Sequence, residues 1–249
     1  MTPPDPFYAF GEHLAIDLDG ARVVFTTRRG GFSSGPYESL NLGRLTADRP
    51  EDVQRNRAAL KEQLGVQIAY IRQVHGNAVR RVVAPPVEPT GTVELPECDG
   101  QATALPGVAP MVMTADCLPV AVAGPGAVAM LHAGWRGLDG GILAEGVDAL
   151  RELGAGSPLH AAIGPGAGPC CYEVGEEVHN TFAAQGLDIR NGRNLDLKAI
   201  TRQQLERAGV EVVHDVGLCT ICGDPTLLFS HRRDGGVTGR QAGVVWLNR

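Results

Sequence analysis

The chain has no excess of basic residues. Its 22 lysines and arginines stand against 28 acidic residues, and the formal net charge is -6. A protein that binds nucleic acid needs a basic face for the phosphates, so the composition argues against such a partner. The arginines are scattered along the chain, which still allows a local phosphate site.

The chain also lacks an apolar stretch suited to a membrane span. The longest one, residues 105–133, is broken by Pro110, Asp116, Pro119 and Pro125. The first residues, MTPPDPFYAF, do not have the basic and then apolar segments of a signal peptide. We therefore expect a cytoplasmic protein without a membrane partner. In a reducing compartment its six cysteines are expected to be thiols or metal ligands rather than disulfides.

Glycine and proline are abundant, with 33 and 17 residues, which indicates many turns and strand ends. Helix-like and strand-like segments mix without strict alternation, and hairpins are predicted about Asp19–Gly20 and about Asp234–Gly236. No repeat and no dividing linker is evident. The pattern favours an α+β protein, a mixed-sheet α/β sandwich, with a single domain over residues 1–249.

Periodicity and turn residues predict the individual elements. Helices are expected at 50–64, 141–153, 173–182 and 196–208. Strands are expected at 68–76, 110–114, 118–123, 127–134, 160–166 and 210–217. The segment 84–107, rich in proline, glycine and glutamate, is expected to be a long surface loop.

Three potential metal ligands lie where strand-like segments end. They are His75 in RQVHG, Cys117 in TADCLP and His132 in LHAGWRG. Each is followed closely by glycine or proline, and such positions can meet at one rim of a sheet. Two imidazoles and a thiolate make a tetrahedral zinc set with a fourth place open for water or substrate. The same spacing also fits a buried cysteine and two histidines that only form hydrogen bonds.

Further polar residues crowd the same turns. Asp116 precedes Cys117, and Trp135 and Arg136 follow His132. Arg72 and Gln73 precede His75. Two more candidates, Asn41 in SLNLG and Asp99 in CDGQAT, have an alternative interpretation as turn residues.

Three other patterns are less specific. The glycine-rich GPGAGPCCYEVG could hold an anion ahead of a helix, and the arginines Arg232, Arg233 and Arg240 could bind phosphate or be solvated. Cys219 and Cys222 form a CxxC motif with no second pair close in sequence. We interpret this motif as structural or accidental.

Six blocks in order carry a family resemblance. SLNLG, RQVHG, TADCLPV, HAGWRG, GPCCYEVG and RRDGGVTGRQ resemble the multicopper polyphenol oxidase (laccase-domain) family, also described as purine nucleoside phosphorylases. The resemblance implies an α/β sandwich and a Zn²⁺ ion held by His75, Cys117 and His132. It also implies phosphorolysis of adenosine, inosine, guanosine and methylthioadenosine, with adenosine deamination as a second activity. The expected partners are therefore purine nucleosides and phosphate.

These reactions suggest roles for the surrounding residues. The candidate catalytic residues are Arg72, Asp99, Asp116 and Arg136, and the candidate substrate-binding residues are Asn41 and Gln73. An arginine would hold phosphate through two parallel hydrogen bonds, and Arg136 is favoured because it lies beside His132. Asp99 or Asp116 would carry a proton to the leaving purine or amine.

Three other functions use the same residues. A copper oxidase of the blue multicopper type needs clustered histidine pairs, whereas this chain has seven histidines and no His-x-His. One His2Cys site could still take Cu²⁺ in vitro, because copper outcompetes zinc for such ligands. A cysteine hydrolase would use Cys117 as nucleophile and His132 or His75 as base. The third alternative is a binding or scaffold protein with a vestigial site.

Overall fold

The computed structural model describes residues 3–87, 94–187 and 189–248. The strands in these ranges are β1 Tyr8–Phe10, β2 His13–Leu18, β3 Ala21–Phe25, β4 Gln67–Ala69, β5 Val79–Arg81, β6 Gly100–Thr103, β7 Val108–Thr114, β8 Leu118–Gly124, β9 Ala127–Ala133, β10 His160–Ile163, β11 Arg190–Asn191, β12 Asn194–Leu195, β13 Val212–Asp215 and β14 Gln241–Leu247. The α-helices are α1 Pro50–Leu64, α2 Trp135–Asp139, α3 Ile142–Glu152, α4 Glu176–Ala184 and α5 Leu197–Arg207.

Two mixed six-stranded sheets form the centre of the molecule. The first has the strand order β1-β2-β3-β14-β7-β4, and the second has the order β13-β10-β8-β9-β6-β5. Three pairs are parallel, namely β4 with β7, β5 with β6 and β10 with β13. The fold is thus a single-domain mixed α/β sandwich, which confirms the predicted fold class.

The layers follow from the apolar faces of the elements. Side chains of both sheets meet in a core that includes Phe25 and Val112 from the first sheet and Met130 from the second. The outer face of the first sheet is covered by α1, through Leu60 and Leu64. On the outer face of the second sheet, α3, α4 and α5 bury their apolar sides. Strands that are covered on both faces have continuous apolar sequences, as β8 and β9 have.

Helix α1 shows how closely local signals set an element. Pro50 occupies the first turn together with acidic side chains that favour a helix N-terminus. At the other end Gly65 has a φ of 65°, the left-handed conformation that glycine adopts readily. The bounds of this helix and the positions of α3, α4 and α5 confirm the sequence prediction.

Three predictions of elements are wrong. Residues 68–76 were expected to form a strand, but β4 ends at Ala69. Residues 84–107 were expected to be a surface loop, but 100–103 form β6, whose four residues are buried between β5 and β9. Residues 88–93 of that segment lie outside the described residues. The closing hairpin about Asp234–Gly236 is also absent from the described chain, since residues 227–240 contain no strand and β14 pairs instead with β3 and β7.

Within the described ranges, the structure contains no helix with the length and apolar character to cross a bilayer.

Candidate metal centre

The three candidate ligands come together at one end of the β8–β9 hairpin. One ring nitrogen each from His75 and His132 and the sulfur of Cys117 all lie within 4.8 Å of one another. Cys117 precedes β8, His132 is the penultimate residue of β9, and His75 lies in the loop after β4. Three segments that are distant in sequence therefore present nitrogen and sulfur donors to one point.

Strand register explains part of this convergence. Side chains alternate between the two faces of a strand, and Val128 and Met130 of β9 face the first sheet, so His132 belongs to the same face. Pro119 of β8 is paired with His132, and Cys117 lies two residues before Pro119. Cys117 and His132 therefore emerge on the same side of the hairpin end.

Asp99 connects the two histidines through hydrogen bonds to the backbone of His75 and to the ring of His132. Its carboxylate is fully buried and accepts backbone N–H bonds from Val74, His75 and Gly76 at 3.1, 2.9 and 2.7 Å. Its Oδ1 also lies 2.8 Å from Nδ1 of His132. Burial raises the pKa of Asp99, but the His132 and backbone hydrogen bonds outweigh it and hold the pKa below its ordinary value. A carboxylate held in this way is ionised at neutral pH and has no proton to donate.

The hydrogen bonds to Asp99 orient the ring of His132 and fix the backbone of His75. Because Nδ1 of His132 faces a carboxylate, it carries the proton, and Nε2 keeps a lone pair for a metal ion. His75 has a φ of 62°, which is strained for a residue with a side chain. The three N–H bonds to Asp99 across Val74, His75 and Gly76 hold the backbone in this conformation.

Asp116 holds the loops that lie next to Cys117. It also has a positive φ, 96°. Its Oδ1 accepts hydrogen bonds from the hydroxyls of Thr220 and Ser230 at 2.6 and 2.7 Å, and its Oδ2 accepts one from the Arg232 N–H at 2.7 Å. Asp116 thus ties two later loops to the residue next to Cys117.

The two amides expected to bind substrate form internal hydrogen bonds. Asn41 is fully buried, donates to Thr46 and Asp48, and accepts N–H bonds from Gly43 and Arg240. Gln73 pairs through both amide atoms with the backbone of Met113, at 2.8 Å each. These contacts make Asn41 an organiser of its loop and attach the His75 loop to β7.

The two candidate phosphate-binding arginines differ in their partners. Arg72 is exposed and forms a 2.9 Å ion pair with Glu97. The guanidinium of Arg136 stacks on Trp135, 4.3 Å from the ring centroid. Among the described residues, Arg136 has no recorded ion pair or hydrogen-bond acceptor, so its N–H groups remain available to an anion.

Two further residues lie near Cys117, and sequence reasoning missed the first of them, Tyr172. Tyr172 is buried, and burial together with the negative charge of Cys117 raises its pKa to about 12. Arg240 is half-buried; burial lowers its pKa, against the opposing charges of Asp116 and Cys117. Within the described chain its recorded hydrogen bonds use only Nη1, to the carbonyls of Thr238 and Gly239. Tyr172 lies in the block GPCCYEVG, where its type gave no reason to choose it, whereas Arg240 was one of three arginines expected to bind phosphate or be solvated.

Electrostatic interactions within the centre favour the ionised forms of both Cys117 and His132. Burial opposes ionisation of the Cys117 thiol, but the positive charge of His132 and hydrogen bonds from both histidines outweigh it and lower the pKa to about 6. Burial likewise disfavours the imidazolium of His132, yet Cys117 and Asp99 raise the pKa of His132 to about 9. The thiolate is the form of Cys117 that binds a metal, and a metal ion would have to displace the Nε2 proton of His132.

The donor set fits a single metal ion. Tetrahedral zinc has Zn–S and Zn–N distances of about 2.3 and 2.0–2.1 Å, which place ligand atoms about 3.3–3.6 Å apart. The three ligand atoms lie within 4.8 Å of one another, so small side-chain movements would bring them to this separation. The Asp99–His132 contact is the outer carboxylate that metal-bound histidines usually have. These three side chains could therefore hold a metal ion with a fourth position open.

The CxxC motif is not isolated in the fold. Cys219 and Cys222 lie beside Cys170 and Cys171, with all four sulfurs within 4.8 Å of one another. The expectation of an isolated pair is wrong, because the partners come from a loop about 50 residues earlier in the sequence.

Comparison with known proteins places the chain in a family. A profile of the family described as multi-copper polyphenol oxidoreductase laccase matches residues 22–248. The chain belongs to this family. A Pseudomonas aeruginosa member, named purine nucleoside phosphorylase PA4543, is 38% identical over 237 residues, which cover 91% of this chain and 93% of that protein. A Deinococcus radiodurans purine nucleoside phosphorylase is 42% identical over 237 residues, 91% of this chain and 89% of the relative.

The fold of this laccase-type family is also found in solved structures. The crystal structure of the Bacillus licheniformis hypothetical protein YfiH has a TM-score of 0.88 and 30% sequence identity, and the match covers 98% of this chain and 100% of that one.

Gly134 leaves the space that Cys117 occupies. A Cβ at Gly134 would lie 3.0 Å from Sγ of Cys117 and 3.6 Å from Cδ2 of His75. We predict that Gly134→Ala displaces the sulfur and weakens metal binding by about 10-fold, with about 1–3 kcal/mol lost from overpacking. Chelator competition and urea unfolding measure the two effects.

Gly156→Ala is the matched control. Its added Cβ would meet only Pro125, at 3.5 Å or more, which is ordinary van der Waals contact. If Gly134→Ala binds metal as tightly as the Gly156→Ala protein, the close fit around Cys117 has no part in metal binding.

Proposed function

We propose that the protein is a zinc-dependent purine nucleoside phosphorylase. Its substrates would be adenosine, inosine, guanosine and methylthioadenosine, cleaved with phosphate, and adenosine deamination would be a second activity. The observation that carries the proposal is the convergence of His75, Cys117 and His132 within 4.8 Å. The names of the Pseudomonas and Deinococcus relatives support the reaction class.

The residues would divide the work between metal binding and support. His75, Cys117 and His132 would hold the zinc, which supplies a Lewis acid for a substrate or water oxygen when bound. Asp99 would orient His75 and His132, and Asp116 would fix the loops around Cys117. The contacts of both aspartates favour these positioning roles over proton transfer, because each carboxylate already accepts three or more hydrogen bonds.

Phosphate would be bound by arginines that have unused donors. Arg136 lies at the start of α2, four positions after His132 in the sequence, and its charge reaches Tyr172. Arg240 would supply further N–H groups for phosphate from its position near Asp116 and Cys117. Bidentate contacts of this kind would orient phosphate for attack on the anomeric carbon.

Tyr172 is a candidate hydrogen-bond donor to the leaving purine. Its raised pKa of about 12 keeps the phenol protonated at neutral pH, and the charge of Cys117 acts on it directly. The phenol could therefore donate a hydrogen bond to the leaving purine. Arg232, whose guanidinium lies 4.8 Å over the Tyr172 ring, would hold the ring in place.

The deciding experiment is incubation of the metal-analysed protein with adenosine, with and without phosphate, followed by chromatography. Adenine and ribose phosphate, formed only with phosphate, are expected for phosphorolysis, and inosine is expected for deamination. If neither product forms while about one zinc is bound at this site, the binding-protein interpretation replaces the enzyme.

Arg136 gives a second test, through the phosphate requirement. We predict that Arg136→Ala raises the KM for phosphate about 10- to 100-fold, because a hydrogen bond to a charged group contributes about 1.5–3 kcal/mol. Zinc content should stay unchanged. Steady-state kinetics at varied phosphate measure the effect.

Arg72→Ala is the control for Arg136. It removes an exposed arginine from the neighbouring loop, and this arginine is already paired with Glu97. Equal phosphate dependence in the two variants would remove Arg136 from the proposed role.

One observation favours a second candidate, a cysteine hydrolase. The lowered pKa of Cys117, about 6, and the raised pKa of His132, about 9, describe a thiolate–imidazolium pair, as nucleophilic cysteines require. Metal-free protein that turns over substrate and is inactivated by alkylation of Cys117 would support the hydrolase. Turnover that disappears with a chelator and returns with zinc would exclude it.

A further inference from the structure

Four cysteines form a second cluster outside the candidate metal centre. Cys170 and Cys171 lie in the loop between β10 and α4, and Cys219 and Cys222 lie in the loop after β13. Strands β10 and β13 pair in parallel, so the loops that follow them start at the same end of the second sheet. We propose that these four thiolates bind one structural Zn²⁺ ion, separate from the ion at His75, Cys117 and His132.

The separations suit four sulfurs around one ion. All four Sγ atoms lie within 4.8 Å of one another, and tetrahedral Zn–S bonds of about 2.3 Å place sulfurs about 3.8 Å apart. The sulfurs of Cys170 and Cys222 are 3.3 Å apart, well beyond the disulfide bond length of about 2.05 Å. A zinc ion shared by four sulfurs would need only small movements of these side chains.

The backbone around Cys219 is built to stabilise a thiolate. Its sulfur accepts an N–H bond from Gly168 at 3.3 Å, and the nearby backbone N–H groups of Ile221 and Cys222 favour its negative charge. The turn is closed by the N–H of Gly223, which donates to the Cys219 carbonyl at 3.0 Å. Such N–H bonds to sulfur support metal-bound thiolates in the way that outer carboxylates support histidines.

Backbone hydrogen bonds already join the two loops that carry the cysteines. The N–H of Thr220 donates to the Gly166 carbonyl at 3.0 Å, and Gly166 donates to Leu218 at 3.3 Å. The backbone thus brings the CxxC turn against the Cys170–Cys171 pair before any ion binds. Cys170 and Cys222 are exposed, which gives an ion access from solvent.

The ligand set predicts a structural rather than a catalytic ion. Four thiolates fill a tetrahedral shell and leave no open position for water or substrate. The ion would also secure neighbours of the first centre, since Tyr172 follows Cys171 and Thr220 donates to Asp116 at 2.6 Å. We therefore expect the second zinc to hold the wall of the first site in place.

Zinc analysis of single variants separates the two sites. The chain purified without added metal should hold about two zinc ions, with four ligands at the cysteine cluster. Cys219→Ala should lose about one of them, and Cys117→Ala should lose the other. Cys98→Ala is the matched control, because Cys98 belongs to neither cluster and should retain both. If the first centre binds no zinc, the wild type holds one ion that only Cys219→Ala removes.

X-ray absorption at the zinc edge gives a test that does not depend on Cys219→Ala folding. The zinc retained by Cys117→Ala should be surrounded by four sulfurs at about 2.3 Å and by no nitrogen. The proposal is overturned if that variant holds no zinc, or if its zinc has nitrogen ligands. It is also overturned if mass spectrometry of protein purified without oxidant finds Cys170 and Cys222 joined in a disulfide.

Discussion

Cys117→Ala should abolish nucleoside cleavage and remove the zinc of the His75–Cys117–His132 centre together. The variant leaves two imidazoles, too few protein ligands for a zinc site of this kind. A Lewis-acid metal contributes several kcal/mol to transition-state stabilisation, and each 1.4 kcal/mol is a factor of ten in rate. We therefore expect kcat/KM for adenosine with phosphate to fall by at least about 10³-fold. Zinc analysis and product chromatography on the same preparation measure both losses.

The control must separate loss of the ligand from loss of a buried thiol. Cys98 is buried in the core between the sheets, so Cys98→Ala removes the same atoms without touching a proposed ligand. Circular dichroism of both variants shows whether the fold is retained. Full turnover by a zinc-free Cys117→Ala protein would disprove the metal-dependent mechanism.

Asp99→Asn should have the second largest effect, on metal affinity and on stability. The amide would place an N–H₂ group against the N–H donors of Val74 and Gly76, which now face Oδ2 at 3.1 and 2.7 Å. Losing a fully buried acceptor of this kind should cost about 3 kcal/mol in the free energy of unfolding. The orientation of His132 would also weaken, and the loss of such an outer partner lowers metal affinity by about 10- to 100-fold.

Urea unfolding and chelator competition measure the two consequences of Asp99→Asn. Asp17→Asn is the control, because Asp17 is an exposed carboxylate paired with Arg22 at the surface, where a substitution changes stability by less than about 0.5 kcal/mol. A less stable Asp99→Asn protein with unaltered zinc affinity would show that Asp99 supports the fold but does not position the ligands.

The apolar framework was predictable because local rules agree with the tertiary structure. The runs at 118–123 and 127–134 became the central hairpin, since strands covered on both faces must be apolar along their whole length. Helix α1 was predicted to the residue, because Pro50 and Gly65 mark both of its ends. The convergence of His75, Cys117 and His132 was also predicted; Cys117 and His132 do lie beside the ends of β8 and β9, but His75 lies in the loop after β4.

The wrong predictions have identifiable physical causes. Strand β6, with the sequence GQAT, carries no apolar periodicity, and Gln101 is buried only because its amide donates to the carbonyls of Ala69 and Met111. The residues Asp234–Gly236 have the composition of a hairpin turn. The chain before them instead forms a loop whose Ser230 hydroxyl and Arg232 N–H bind Asp116.

Residue type and spacing were enough to identify the central strands of the two sheets and the donor atoms near their ends, because burial and turn chemistry act over a few neighbouring residues. They could not assign Asp99, Asp116 and Asn41 their roles as buried acceptors and organisers, nor bring Cys170 and Cys171 to Cys219 and Cys222. Those contacts join segments tens of residues apart, and their partners are chosen by how the two sheets pack and where the loops cross. Only the folded chain decides that.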